Sequence, residues 1–170
     1  DKELTQKSQL YKQSQEALQV KWQDVQNGLK ENEAAIEFVS FKYYSNKSIY
    51  TDSTLYYALV LKKNAAYPEL IPLFEQRQLD SLFTANKKVD QLYNYKLSND
   101  VDKTKTKELN CGEKVYQLVW KPLERSLQNI KRIYYSPAGG LNKVAFAAIP
   151  VDSTLLLSDK YDLYQVTSTR

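Results

Sequence analysis

The chain has 170 residues, of which 42% are hydrophobic and 26% charged, with four Gly and five Pro; that is enough for one domain with a real core, and too apolar for a disordered or low-complexity segment. Its 24 basic and 20 acidic residues leave a net charge of +4, with both signs interspersed, which argues against a dedicated nucleic-acid binder. A single cysteine, Cys111, and the absence of histidine exclude an intrachain disulfide and a Cys-rich zinc site.

The first residue is Asp1 rather than Met, which suggests a fragment or a processed product, and the opening DKELTQKSQLYK lacks the apolar run of a signal peptide. No stretch is long and apolar enough for a transmembrane helix. A cytoplasmic location, no membrane partner and no cofactor are the expectations. From Leu4 to Leu29 the apolar positions Leu4, Tyr11, Leu18, Trp22, Val25 and Leu29 recur at helical steps, with Leu10 and Ala17 widening the stripe and Gly28 near its end. The spacing predicts an amphipathic helix that breaks near Lys21, and residues 1–29 read as the helical end of a repeat array or a linker.

Residues 30–170 read as one α/β unit. Glu33 to Tyr44 and Thr54 to Lys62 are dense in β-branched and aromatic residues and are separated by the polar run Ser45 to Ser53, so the prediction is two adjacent strands in a hairpin. Their nearly continuous apolar character predicts a sheet covered on both faces by helices. Pro68 and Pro72 bracket a short turn, and Leu73, Phe74, Leu79, Leu82 and Phe83 predict a helix over 72–85. Asn86 to Asn110 is lysine-rich and polar, a helix at most and then a mobile loop. Helical periodicity returns over 113–127, with Pro122 as a kink or a new start. Ile130 to Tyr135 predicts a strand, Val144 to Ile149 a short strand or helical turn, and Asp162 to Thr167 a last strand. A helix feeding a strand that crosses to another strand implies a mixed sheet with parallel pairs.

Several features invite a chemical reading. Cys111-Gly112 near a helix start is the setting of a thiol with a lowered pKa, because helix N-termini stabilise the thiolate, but an ordinary non-catalytic cysteine is favoured. Pro137 to Gly140 follows a strand as a phosphate loop does, yet the spacing fits neither nucleotide pattern and a tight turn is the better account. The pairs Tyr43/Tyr44, Tyr56/Tyr57 and Tyr134/Tyr135 alternate across strand faces, which suits packing better than a base-stacking platform. Glu33 with Glu37 and Asp159 with Asp162 are spaced as carboxylate pairs, with solvated charge as the default reading. Asn46-Lys47-Ser48 forms a glycosylation sequon, and DSTL occurs at Asp52 and again at Asp152.

The series Tyr116, Leu118, Pro122, Leu123, then Arg132, Ile133, Tyr134, Pro137, Gly139, Leu141, Phe146, Ala148, and finally Leu157, Tyr161 and Ser168 resembles the opening half of CHAT domains, caspase-related cysteine peptidase domains associated with tetratricopeptide repeats. The stretches WQDVQNGLKENEAAIEFVSF, from Trp22, and STLYYALVLKK, which contains Leu55, are similar to the lead-in that follows those repeats. Ala145 stands where many relatives have Pro. The resemblance spans Trp22 to Arg170 and implies a partial caspase-like sheet from a bacterial protein. In the family the catalytic His and Cys lie beyond the region matched here, and Cys111 matches no catalytic position. The resemblance therefore implies a non-catalytic portion that scaffolds a downstream peptidase half and couples it to partner-binding repeats. A stand-alone interaction or sensor module is the alternative. An unfinished sheet would also expose an edge through which copies of the chain could pair.

Overall fold

A computed structural model describes residues 20–44, 50–93 and 111–169 of the chain. Most of the helix expected from Leu4 to Leu29, the glycosylation sequon and most of the lysine-rich loop lie outside the described residues. Helix α1 (Trp22–Gly28) is followed by strands β1 (Glu33–Tyr44), β2 (Tyr50–Lys62) and β3 (Glu69–Glu75), then helix α2 (Gln76–Tyr93). Helical residues 111–115 lead into a π-helical turn, Tyr116–Trp120, and a 3₁₀ turn, Lys121–Leu123. Strand β4 (Arg132–Ser136), two 3₁₀ turns (Gly139–Lys143 and Phe146–Ala148), the one-turn helix α3 (Leu157–Lys160) and strand β5 (Asp162–Gln165) complete the described part.

The five strands form one sheet in the order β3-β2-β1-β4-β5. β1 pairs antiparallel with β2, from Ala34 opposite Lys62 to Phe41 opposite Leu55, and parallel with β4, from Glu33 beside Arg132 to Glu37 beside Ser136. β4 and β5 are also parallel, and β3 joins β2 antiparallel. The chain is thus of the α/β class with a mixed sheet, as the sequence predicts. β1 is the strand where an antiparallel meander meets a parallel pair.

Strand β3 corrects the sequence reading, which placed a turn at Glu69 to Ile71 and a helix from Pro72. Helical spacing of Leu73, Leu79, Leu82 and Phe83 is real, but the helix begins only at Gln76. The N–H of Glu75 donates to Gln78 Oε1 at 2.9 Å, satisfying the backbone at that helix start. Pro72 has no N–H for a second neighbour, and an edge strand needs none, so it sits opposite Tyr57 beside a register shift in the β2–β3 ladder. Pro122 falls in the 3₁₀ turn directly after the π-helical turn. Without an N–H to donate back, it ends the regular ladder there.

One face of the sheet carries the main core. Ala34, Ile36 and Phe38 of β1, Tyr56, Ala58 and Val60 of β2, and Ile133 and Tyr135 of β4 are buried with Leu79, Val119, Trp120, Leu123, Leu141, Phe146 and Leu157 from the covering segments. Aromatic rings join these layers: Phe146 stands 5.4 Å from Phe38, 4.7 Å from Tyr135 and 6.0 Å from Trp120. The adjacent tyrosines at 56/57 and 134/135 divide between faces, with Tyr56 and Tyr135 in this core and Tyr134 against the smaller cluster opposite.

On the second face, the cover among the described residues comes from α1. Leu29, Ala35 and Leu61 are buried there under Trp22 and Val25 of α1. Gln26 fastens this helix by donating from Nε2 to the carbonyls of Lys62 and Ala65 at 3.0 and 2.6 Å. Beyond α1 the same face presents Val39, Leu55, Tyr57 and Leu59 half-buried, with Phe41 48% and Leu70 57% exposed. Among the described residues, the nearly continuous apolar pattern is met by the main core on one face and by α1 over part of the other.

Phe38 is 2% exposed at the centre of the core. Phe38→Ala removes the ring that joins β1 to Phe146 and is expected to lower unfolding free energy by about 3–5 kcal/mol, read from urea unfolding of the two proteins side by side.

Candidate functional site

In an open sheet with parallel strands, ligands settle in the crevice outside the carboxyl ends of those strands. Here that crevice lies where β4 runs into Pro137 and β5 into Val166. A cleft of about 370 Å³ is lined by Pro137, Asn142, Gln165, Val166 and Thr167. The chain after β5 is strapped across the strand ends. Ser136 Oγ donates to the Thr167 carbonyl at 3.1 Å, the Val166 N–H donates to the Tyr135 carbonyl at 2.9 Å, and Glu37 accepts from both the N–H and the hydroxyl of Thr169, at 2.9 and 2.6 Å.

The chemistry available in the cleft is limited. Its lining offers amide, hydroxyl and backbone groups and, among the described residues, no ionisable side chain, so it can hydrogen-bond a neutral group but holds no base to activate the Thr167 hydroxyl. Two of the lining amides already serve the fold: Asn142 Nδ2 donates to the Gly139 carbonyl at 3.1 Å, and Gln165 Oε1 accepts from the Tyr135 hydroxyl at 3.3 Å.

The neighbouring Pro137 to Gly140 segment is a tight turn, as its sequence predicts. Gly139 has φ +52°, and a Cβ there would lie 2.4 Å from the Tyr56 hydroxyl oxygen. That hydroxyl accepts from the Gly140 N–H at 2.9 Å and donates to Gln76 Oε1. The Leu141 N–H is taken by the Ala138 carbonyl at 3.0 Å. With these amides engaged, the turn does not present the free N–H cradle that a phosphate needs; its glycines serve conformation and close approach.

The remaining sequence candidates are also accounted for locally. Cys111 is half-buried, its Sγ sits 3.8 Å from the Leu82 carbonyl, and burial pushes its thiol pKa up despite the nearby Lys114. A raised thiol is a poor nucleophile. Glu33 and Glu37 share a face of β1 but have separate partners. Glu33 is buried and accepts from the Lys30 N–H at 3.0 Å and from Arg132 Nη1 at 3.3 Å, while Glu37 holds Thr169. Asp159 accepts from the Leu156 N–H at 2.8 Å at the start of α3, and Asp162 stands 3.8 Å from Arg132 Nη2. The two DSTL copies adopt unlike structures. Asp52 lies within β2, whereas Asp152 closes a turn by accepting from the N–H groups of Thr154 and Leu155. Among the described residues no group of three or more His, Cys, Asp or Glu side chains is gathered to hold a metal ion.

The residues carrying the family resemblance are dispersed by role. Tyr116, Leu123, Leu141, Phe146 and Tyr161 are buried in the main core, with Pro122 half-buried beside them. Trp22 and Leu55 lie on the second face, Pro137 lines the cleft, Gly139 makes the turn, Ala148 is exposed and Ser168 is half-buried next to Thr169.

The sequence reading did not find the charged knot around Glu124. Glu124 Oε1 accepts from Lys160 Nζ at 2.7 Å and from the Tyr116 hydroxyl, and Oε2 meets Lys121 Nζ at 2.6 Å. The knot ties the helical segment before β4 to α3, and the Lys121/Glu124 spacing of three was its one visible signal. Burial pushes the Glu124 carboxyl up, but hydrogen bonds from Lys121, Lys160 and Tyr116 together outweigh it and hold the pKa at about 2. Burial first, and the adjacent carboxylate second, drive the Tyr116 phenol well above its ordinary range.

Gly139→Ala is expected to cost about 1–3 kcal/mol, through a positive φ and the clash with Tyr56. Calorimetric melting of the single and double variants should show a smaller loss when the substitution is made on a Tyr56→Phe background, where the obstructing oxygen is gone. For Glu124, a folded-state pKa below the ordinary 4.5 means that its contribution is complete above pH 4.5 and fades as pH falls toward 2. Glu124→Gln should therefore flatten the acid limb of stability in that window, measured as urea midpoints at successive pH values.

No family model matches the chain, and no curated protein sequence matches it.

Proposed function

We propose that this chain is the N-terminal, non-catalytic portion of a CHAT domain. In this reading it is a scaffold on which a downstream cysteine-peptidase half completes a caspase-like sheet, and residues 1–29 couple that sheet to partner-binding repeats. The reading rests on the ordered resemblance from Trp22 to Ser168. The two edges of the sheet differ. On β3, Pro72 removes a backbone donor and Glu69 is engaged by Ser126, whose Oγ donates to Glu69 Oε2 at 2.6 Å. β5 (DLYQ) carries no proline or lysine, and Asp162, Tyr164 and Gln165 are exposed. Shortness and charge, here the four residues of β5 and Asp162, blunt an edge as proline does, so what supports the reading is that the described residues place no sixth strand on β5.

The same edge supports a second reading, a stand-alone interaction module whose copies pair through β5. The two readings separate on the reading frame of the parent polypeptide. Under the first, it continues into segments with a His and a Cys at strand ends, the intact protein cleaves a peptide in a thiol-dependent way, and changing that downstream Cys to Ala abolishes cleavage. Leu163→Pro in the same protein should cut the cleavage rate at least tenfold by breaking the receiving edge. A frame that ends shortly after Arg170, with a concentration-dependent dimer in sedimentation that Leu163→Pro disperses, would establish the interaction module instead.

A further inference from the structure

The last described residues lie across the strand ends in the way an extended peptide is held by a binding site. Residues 166–169 belong to no helix or strand, and their contacts cross from β4 to β1 in chain order. The Val166 N–H donates to the Tyr135 carbonyl at 2.9 Å, and the Thr167 carbonyl accepts from the Ser136 hydroxyl at 3.1 Å. Thr169 then donates both its N–H and its hydroxyl to Glu37 Oε2, at 2.9 and 2.6 Å.

Glu37 and Ser136 are neighbours in the β1–β4 register, at the point where β4 stops. Paired residues of parallel strands project to the same face about 4.8 Å apart, so the carboxylate and the hydroxyl act as one pair. Two residue steps of extended chain measure about 7 Å, enough for a single segment to reach both. The pair reads a main-chain carbonyl and, two residues later, an N–H beside a side-chain hydroxyl. Bonds to a carboxylate are charge-assisted, so Glu37 favours that hydroxyl over a methyl in the same place.

The hold on this segment is polar. Val166, half-buried, is its one apolar side chain, Thr167 is exposed, and the strand that precedes it has four residues. Hydrogen bonds exchanged against water contribute little each, so the segment belongs to the part of the molecule that opens locally while the sheet stays folded. What it covers is firmly built: Ser136 is 3% exposed and ends a strand with neighbours on both sides.

We infer that residues 166–169 are a releasable strap, the built-in occupant of a peptide site formed by Glu37 and Ser136. When the strap opens, the site takes an extended peptide with a Ser or Thr two residues after the bound carbonyl. Tethering gives the strap a high effective concentration, so it blocks the site until it is loosened. The inference does not depend on what pairs with β5, because the site lies at the ends of β1 and β4.

Hydrogen exchange on the full 170-residue chain tests the opening. The Thr169 amide should exchange more slowly than in unstructured peptide, yet about tenfold faster than the central amides of β2. Exchange as slow as β2 would show a fixed segment, and exchange as fast as free peptide would show that the contact is not kept; either overturns the inference. Thr169→Pro, which removes the N–H and the hydroxyl together, tests the site. Acetyl-Val-Thr-Ser-Thr-amide should shift the Glu37 and Ser136 amide resonances of this variant saturably, and bind the unaltered chain about tenfold more weakly. The same peptide with Val as its last residue should bind the variant about tenfold more weakly too, and adding Glu37→Ala should abolish the response. A Thr169→Pro protein that ignores the peptide, or binds both peptides equally, overturns the inference as well.

Discussion

The structure depends on β1 being paired on both sides in opposite senses. Its antiparallel bond to β2 comes from a hairpin, but its parallel bond to β4 joins residues about a hundred positions apart, as the Glu33–Arg132 contact spans 99. Parallel pairing between distant segments has to be repaid by burial. β1 supplies it: Ala34, Ile36 and Phe38 go into the main core while Ala35 is buried on the other side. Trp120 is part of the cover over that core, and its Nε1 is buried with no hydrogen-bond partner among the described residues. An unpaired donor costs about 1–3 kcal/mol, which the ring's contacts with Phe146 and Tyr161 offset.

Most of the sheet was legible because its strands are made of residues that do little else. Glu33 to Tyr44 and Thr54 to Lys62 are crowded with β-branched and aromatic side chains, and Ile133 to Tyr135 and Leu163 to Tyr164 repeat this on a smaller scale. β3 was not legible, because Pro72 argues against a strand unless the strand is known to be at an edge, and edge position is a tertiary fact. The helical start was misplaced for a related reason: Leu73 and Phe74 fit a helical comb and a strand equally well over so few residues. Apolar density reports what can be buried on the second face; among the described residues, α1 is what covers part of it.

The candidate site was legible in a negative sense. Missing histidine already removed chemistry that needs an imidazole, and the structure shows what each remaining candidate touches. Cys111 is half-buried, Glu33 and Glu37 hold different partners, and the glycine turn spends its amides on Tyr56 and Ala138. Tyr56 itself was read from sequence only as a packing ring, yet its hydroxyl links β2, the start of α2 and the turn after β4. Such a three-way contact leaves no local signal, since Gln76 and Gly140 lie 20 and 84 residues away. The Glu124 knot is similar, with Lys160 36 residues distant.

The unlike edges of the sheet also give it a direction in time. Strands β1, β2 and β3 are consecutive in the chain and pair with their immediate neighbours, so they need only local contacts. β4 and then β5 are laid down on the far side of β1 in the order in which they are made. Pro72 marks one border of this sheet, and the later described strands are added on the other side of β1. For the described strands, a chain emerging from the ribosome can therefore build the β1–β3 meander first and add β4 and then β5 as each is made, so the order of synthesis and the order of assembly can coincide.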